Sequence, residues 1–285
     1  MRPRAPARQG LLLLTASLLL AACTPTPVKE VAGPARAQPA ADSGRYPAQY
    51  VTTMRREGVR QPFILLRPEH PIASVILFTG GDGVAMIGPE GIRRQGNFLV
   101  RSRALFAEQG LLVAVVDPPS DQPTLNGFRT SQAHALDIKG VIAYLRQQAR
   151  VPVWLVGTSY GTVSAAKVAD WLADGGGPDG IVLTSSLLNR GPFGDSVYNA
   201  DPARIRIPML LVHNKSDRCP ATPFSQAEGY VKRMANAKPG ELIAFEGGGP
   251  VHGPFCQPFD YHGFPGLEPQ VVTSIAQWIK AHPPR

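Results

Sequence analysis

The chain has 285 residues, of which 44% are hydrophobic and 18% are charged, and this composition excludes the disordered and fibrous classes of protein. Its formal net charge is +8, but three arginines stand in the first eight residues, and without them 26 basic residues face 21 acidic ones. Since no run of five lysines or arginines occurs, the charge gives no support for a nucleic-acid partner, and we expect a solvated surface with a mild basic bias.

The first residues have the layout of a secretory signal peptide. A basic start with Arg2, Arg4 and Arg8 precedes an apolar run over 11–22. The run is shorter than the roughly 20 apolar residues that a permanent membrane-spanning helix needs. We therefore assign residues 1–22 to a signal peptide and leave them out of the fold prediction.

The end of this run resembles a more specific signal. Leu20-Ala21-Ala22-Cys23 is similar to the lipobox of bacterial lipoproteins. In that family the signal is cut before the cysteine, which carries acyl chains, and several chains anchor a protein stably. The resemblance implies that Cys23 is lipidated, and Thr24 in place of Asp implies the outer membrane, facing the periplasm. The alternative is an ordinary signal peptide with a cysteine there by chance.

The segment 23–48 consists of this cysteine and a stretch rich in Pro and Ala. No hydrophobic period runs through it, so the composition predicts a disordered tether. A flexible chain of this length reaches roughly 25 to 30 Å. The globular domain is then expected over 49–285.

Apolar runs alternate with helical patterns along that domain. The predicted strands are 63–66, 73–78, 111–116, 151–156, 181–184, 207–213 and 242–246. The predicted helices are 97–109, 131–150, 162–173, 223–235 and 269–281. Continuous apolar strands are typical of a mostly parallel sheet that helices cover on both faces, so we predict an α/β fold. Functional residues are expected at the carboxyl ends of the strands.

A G-x-S-x-G pentapeptide, Gly157-Thr158-Ser159-Tyr160-Gly161, joins a predicted strand to a predicted helix. That strand-turn-helix setting is what a nucleophile elbow requires. Glycines leave room around a serine in strained backbone, and the start of the helix favours negative charge nearby. Ser159 is therefore the predicted nucleophile, and the alternative is a Gly-rich turn with an incidental serine.

The residues that follow Ser159 resemble those of α/β-hydrolase fold serine hydrolases, in particular dienelactone-hydrolase-like esterases. In that fold the acid and then the histidine follow the nucleophile along the chain. Asp217 stands in the segment HNKSDRCP, which is similar to the family's acid loop, and its alternative is a turn or helix-capping aspartate. His262, in Tyr-His-Gly-Phe before the last helix, is similar to the family's histidine and is the preferred base. His252 is the alternative base.

The same resemblance implies two backbone donors for an oxyanion. One is the N–H of Tyr160, after the nucleophile. The other comes from the Gly-rich loop 79–83, with Gly81 preferred and Asp82 as the alternative. Thr79 departs from the lipase-type pattern, which has histidine there. A phosphate-binding loop is the rival interpretation, but no G-K-[ST] follows.

Cys219 and Cys256 are expected to form a disulfide, because paired cysteines of exported proteins usually do. The bridge would tie the acid loop to the histidine loop. No spacing typical of metal ligands occurs, and neither a metal nor a cofactor is implied.

The segment 187–206 is too short for a large lid, which predicts an accessible site for small substrates. We expect a serine hydrolase that cleaves an ester or similar acyl bond through an acyl-enzyme, with contact to the membrane through the lipid anchor only. Two alternatives stay open. One is a peptidase or acyltransferase of the same fold, and the other is a non-catalytic envelope lipoprotein that uses the scaffold for binding.

Overall fold

A computed structural model describes residue 1 and the ranges 28–30 and 45–284 of the chain. In chain order its strands are β1 (Val28–Glu30), β2 (Gln49–Thr53), β3 (Gln61–Leu66), β4 (Ala73–Phe78), β5 (Ile87–Gly88), β6 (Gly91–Ile92), β7 (Leu111–Val116), β8 (Val153–Thr158), β9 (Gly180–Thr184), β10 (Met209–Asn214) and β11 (Gly240–Phe245). Its helices are α1 (Phe98–Arg101), α2 (Arg103–Glu108), α3 (Gln132–Ala149), α4 (Gly161–Trp171), α5 (Ala227–Arg233) and α6 (Glu268–Ala281).

Nine of these strands form one sheet in the order β1-β11-β10-β9-β8-β4-β7-β3-β2, and β5 pairs with β6 in a separate ribbon. The pairs β2–β3 and β3–β7 are antiparallel and the others in the large sheet are parallel. The central strands are buried along their whole length. The predicted mostly parallel sheet is therefore confirmed.

Alternating side chains of the strands supply two hydrophobic cores. One lies between the sheet and the helices α3, α4 and α5, and the other between the sheet and α1, α2 and α6. In β3, for example, Phe63 and Leu65 belong to the first core while Ile64 and Leu66 belong to the second. Helices thus cover both faces, and each face needs apolar side chains, which is why the strands are continuous apolar runs.

Several predicted elements differ from the structure in detail. The helix predicted over 97–109 is interrupted at Ser102, and the one over 223–235 opens with a 3-10 turn at Phe224–Gln226. The sequence pattern did not predict β2, because this edge strand is largely exposed and has few apolar residues. The segment 187–206 holds a single 3-10 turn among the described residues, so the prediction of no large lid is confirmed.

The strand β1 falls inside the segment interpreted as a disordered tether. Its residues pair in parallel with β11, from Val28 opposite Leu242 to Glu30 opposite Ala244. An edge strand presents a row of unpaired N–H and C=O groups with which another extended segment can pair. The described residues 28–30 are thus extended and paired, and the tether otherwise stays a prediction. Cys23 and residues 2–22 lie outside the described residues, and no helix within the described ranges is long and apolar enough to cross a membrane.

Candidate active site

Ser159 stands in the tight turn between β8 and α4, at the carboxyl edge of the sheet. Its backbone φ of +54° is in the left-handed region, which non-glycine residues rarely adopt. A Cβ on Gly161 would lie 2.2 Å from the carbonyl oxygen of Phe78, and one on Gly157 would lie 2.4 Å from that of Gly161. Glycine is therefore required on both sides, and the turn has the geometry of a nucleophile elbow.

Asp217 and His262 form a buried pair beside this turn. Asp217 follows β10, and its Oδ2 lies 3.0 Å from Nδ1 of His262. The hydroxyl of Thr222 donates to the same oxygen at 2.8 Å, and the N–H of Cys219 donates to Oδ1 at 2.9 Å. The carboxylate is therefore held by three donors, including the imidazole.

These contacts keep the carboxylate charged. Burial acts to raise the pKa of Asp217, but the hydrogen bond and charge of His262 oppose it, as do the bonds from Cys219 and Thr222. Their combined effect lowers the pKa of Asp217 below its usual value. An ionised carboxylate at Nδ1 favours the tautomer of His262 that carries its proton on Nδ1 and leaves Nε2 free to accept one.

The backbone around His262 is fixed by two further side chains. Its carbonyl oxygen accepts a hydrogen bond from the Ser185 hydroxyl at 2.8 Å, and the carbonyl oxygen of Gly263 accepts one from the buried Arg101. Nε2 of His262 is buried and has no hydrogen-bond partner among the described residues. Ser159 and His262 line the same pocket, so a proton acceptor without a partner shares that pocket with the serine.

His252 lies apart from this pair. Its ring is exposed and stacks on Phe259, with 4.9 Å between ring centroids and 13° between the planes. The backbone N–H of His252 donates to the carbonyl oxygen of Phe259 at 2.9 Å, and none of the described hydrogen bonds of His252 involves Asp217. The structure thus brings Asp217 together with His262 and not with His252.

Two more histidines are buried away from the pocket. His213 in β10 accepts a hydrogen bond on Nε2 from the N–H of Ser186 at 2.9 Å, and His134 packs edge-on against Phe78 and Phe128. Burial lowers the pKa of His213 to about 4 and that of His134 to about 3. Both side chains are therefore neutral core residues near neutral pH.

Three backbone N–H groups in the elbow and the Gly-rich loop have no described partner. The N–H groups of Tyr160, Gly81 and Asp82 have no hydrogen-bond acceptor among the described residues. The loop that carries the last two passes close to the elbow, since a Cβ on Gly80 would lie only 3.0 Å from Cβ of Ser159. Gly81 and the alternative Asp82 line the pocket with Ser159, and the predicted donor Tyr160 directly follows Ser159 in the chain.

The pocket lined by Ser159, His262, Gly81 and Asp82 has a volume of about 250 Å³. Its polar side chains include Arg94, which is paired with Asp82 through an Nη1–Oδ2 distance of 2.8 Å, and Asn97, whose Oδ1 accepts from the N–H of Leu99. Phe98 contributes an apolar wall. The volume is at the small end of ligand-binding clefts.

The predicted disulfide between Cys219 and Cys256 is present. Cys219 lies two residues beyond Asp217 and is buried, while Cys256 lines the pocket. The bridge therefore connects the acid loop directly to the pocket wall formed by the histidine loop.

Replacement of Cys219 and Cys256 by alanine is expected to destabilise the protein by about 3 to 4 kcal/mol, because the bridge closes a chain segment with a sequence separation of 37. We also expect kcat to fall, since Asp217 is then held less firmly. Urea unfolding of the double variant measures the first effect. Dithiothreitol should lower the free energy of unfolding of the wild type to the same extent and leave that of the variant unchanged. An unchanged unfolding midpoint in the variant would contradict this prediction.

Sequence reasoning missed the residues that support the pair. Thr222, Ser185 and Arg101 act through hydrogen bonds to residues that are distant in sequence, by up to 162 positions for the bond from Arg101 to Gly263. No motif marks them. Among the described residues, no group of three or more His, Cys, Asp or Glu side chains is arranged to hold a metal ion.

No family model matches the chain, and no curated protein matches it by sequence. Solved structures do resemble it. An esterase of Pyrococcus furiosus has a TM-score of 0.61 at 12% identity and covers 90% of this chain and 98% of its own. A dienelactone hydrolase from Anabaena variabilis has a TM-score of 0.56 at 12% identity, with 84% and 99% covered. A serine hydrolase without a lid from Xanthomonas campestris has a TM-score of 0.53 at 14% identity. The match covers 83% of this chain and 97% of that one. At this identity the likeness shows the fold, which is that of the α/β-hydrolases.

Proposed function

We propose that the protein is a serine hydrolase that cleaves an ester, or a similar acyl bond, of a small substrate. Ser159 is the nucleophile, His262 the general base and Asp217 the acid that orients it. The observation that carries this proposal is the buried pair of Asp217 and His262, because Nε2 of His262 has no described hydrogen-bond partner and His262 lines the same pocket as Ser159. The esterases among the proteins of similar fold support the choice of substrate class.

The groups in the pocket suit two-step acyl transfer. Nε2 of His262 takes the hydroxyl proton of Ser159 as Oγ of the serine attacks the acyl carbon. The substrate's carbonyl oxygen becomes negative and accepts hydrogen bonds from the N–H of Tyr160 and from that of Gly81 or Asp82. The C–O bond of the ester then breaks, and the departing alcohol takes the proton from His262. Water attacks the acyl-enzyme in the same way, which releases the acid and restores the serine.

The size of the pocket and the short segment 187–206 support a small substrate. A peptidase or an acyltransferase would use the same groups and differ only in the leaving group or the acceptor. Assays with different substrates, rather than substitutions in the triad, therefore distinguish these alternatives. A non-catalytic binding role would need none of the three side chains to react.

The test is hydrolysis of p-nitrophenyl acetate and butyrate by the purified protein, beside the p-nitroanilides of the same acids. We expect turnover of the esters, much slower turnover of the anilides, and background rates with Ser159→Ala. Faster cleavage of the anilides would favour the peptidase. No turnover of either substrate would favour the non-catalytic binding role.

We also propose that the protein is anchored to the bacterial envelope, at the outer membrane facing the periplasm, by acyl chains on Cys23. The support is the resemblance of Leu20–Cys23 to a lipobox. Labelled palmitate should enter the wild type but not Cys23→Ser, and that variant should leave the membrane fraction. Absence of label from the wild type would refute the anchor.

A further inference from the structure

Arg129 is an arginine without a carboxylate partner in the interior of the protein. It lies between β7 and α3, its exposed fraction is 0%, and no acidic side chain of the described ranges lies within ion-pair distance of it. Charged side chains are rarely buried unless they are paired, because removing a charge from water costs several kcal/mol. A buried arginine without such a pair calls for a specific role.

Burial lowers the pKa of Arg129 to about 10, while interactions with Tyr160, Asp82 and Asp195 act in the opposite direction. The guanidinium therefore stays protonated at neutral pH. Its positive charge persists in a part of the protein where little water screens it.

The hydrogen bonds of Arg129 go to the two segments that carry the backbone donors. Nη2 donates to the carbonyl oxygens of Thr79 and Gly81, each at 3.1 Å, and Nη1 donates to the hydroxyl of Ser164 in α4 at 2.8 Å. The ring of Tyr160 lies against the guanidinium, 5.3 Å from ring centroid to Cζ. One side chain thus connects the Gly-rich loop to the helix that begins beside Ser159.

The orientation of these carbonyls determines where the neighbouring N–H groups point. In a planar trans peptide the C=O and N–H point in opposite directions. Because the oxygen of Gly81 faces Arg129, the N–H of Asp82 points away from Arg129, and Asp82 is one of the residues that line the pocket. A loop that turned this peptide over would present a carbonyl oxygen to the oxyanion and would repel it.

The sequence makes room for this contact at Gly83. A Cβ at this position would lie 2.8 Å from Nη2 of Arg129 and 2.7 Å from a methyl carbon of Leu125. Gly83 also has a φ of +84°, which L side chains rarely adopt. A larger residue here would strain the loop backbone and would displace the guanidinium of Arg129 or the side chain of Leu125.

We propose that Arg129 is a positioning residue for the oxyanion site. Its guanidinium holds the carbonyls of Thr79 and Gly81 away from the pocket and places a positive charge behind the donors of Asp82 and Tyr160. The inference rests on the proposed function. It also favours the N–H of Asp82 over that of Gly81 as the donor from the loop.

The test compares Arg129→Met and Arg129→Lys with the wild type, in ester hydrolysis and in inhibition by butylboronic acid. Oγ of Ser159 adds to the boron while Nε2 of His262 takes the hydroxyl proton, which leaves a negatively charged tetrahedral boronate in the site. We expect kcat to fall about 100-fold in Arg129→Met, as when one oxyanion donor is lost, with KM within threefold. In Arg129→Lys we expect kcat to fall about tenfold, because an ammonium keeps the charge but lacks the planar, paired N–H donors of a guanidinium. The inhibition constant of the boronic acid should rise in step with the loss of kcat.

The control is Arg146→Met. Arg146 also holds a loop carbonyl, that of Gly177 at 2.8 Å, and pairs with Asp179, but at the opposite edge of the sheet. Its loss should lower the thermal midpoint and leave kcat and boronic acid affinity unchanged. Should Arg129→Met fail to fold, the lysine variant decides with the same two measurements.

Two results would overturn the proposal. One is kcat within threefold of the wild type in a folded Arg129 variant, and the other is a loss of kcat without weaker binding of the boronic acid. Failure of the proposed function would look different, since the wild type itself would then neither hydrolyse esters nor bind the boronic acid.

Discussion

Replacement of His262 by alanine is expected to reduce kcat for p-nitrophenyl esters by about 10⁴-fold or more, because the serine then lacks the base that takes its proton. Replacement of His252 should leave kcat within about threefold, since its exposed ring contacts Phe259 rather than Asp217. The two histidines follow the same strand and differ in whether the acid reaches them. The pair of variants therefore separates the base from its neighbour.

Both variants are measured for kcat, KM and thermal midpoint in the same buffer. His262 is buried, so its alanine variant is also assayed with added imidazole, which can occupy the vacated space and restore part of the activity. Restoration in His262→Ala, with none in Ser159→Ala, would identify a missing base rather than a damaged fold. Loss of activity in His252→Ala alone would contradict the assignment.

The second large effect is expected from Asp217→Asn, which should lower kcat by about 10⁴-fold near neutral pH. The N–H of Cys219 donates to Oδ1, so in the variant the amide oxygen stays there and the amide nitrogen takes the place of Oδ2. That nitrogen donates to Nδ1 of His262 and forces the proton onto Nε2. The imidazole then has no free nitrogen to accept the proton of Ser159.

A matched substitution shows whether loss of a carboxylate alone has this effect. Asp179 is also partly buried, accepts from the N–H of Val153 at 2.8 Å and pairs with Arg146, at the amino edge of the sheet. We expect Asp179→Asn to lower the urea unfolding midpoint while kcat stays unchanged. An Asp217→Asn variant with kcat within tenfold of the wild type would remove Asp217 from the mechanism.

The positions of Ser159, Asp217 and His262 could be predicted because a parallel sheet brings the carboxyl ends of its strands to one edge. Residues in the loops that follow those strands therefore lie at the same edge, however far apart they are in sequence. The choice between the two histidines depends on the path of a loop. Only the structure shows that the 3-10 turn at Tyr261–Gly263 turns His262 inward, while His252 stays on the exposed part of that loop.

Arg129 and β1 could not be predicted for a related reason. The contacts of Arg129 join residues 35 to 50 positions apart, between a loop, a helix and another loop, and no periodic pattern records such pairings. Only three residues of β1 pair, through backbone groups that every sequence has. Periodicity predicts which faces are buried, whereas individual polar contacts depend on the packed geometry.

The central claim is that Ser159 is an activated nucleophile, and covalent labelling tests it most directly. The purified protein is treated with a fluorophosphonate, digested, and the modified peptide identified by mass spectrometry. We expect one phosphonyl group on Ser159, none in Ser159→Ala and much slower labelling in His262→Ala than in His252→Ala. An unmodified Ser159 under conditions that label a known serine esterase, or modification of another serine instead, would contradict the assignment.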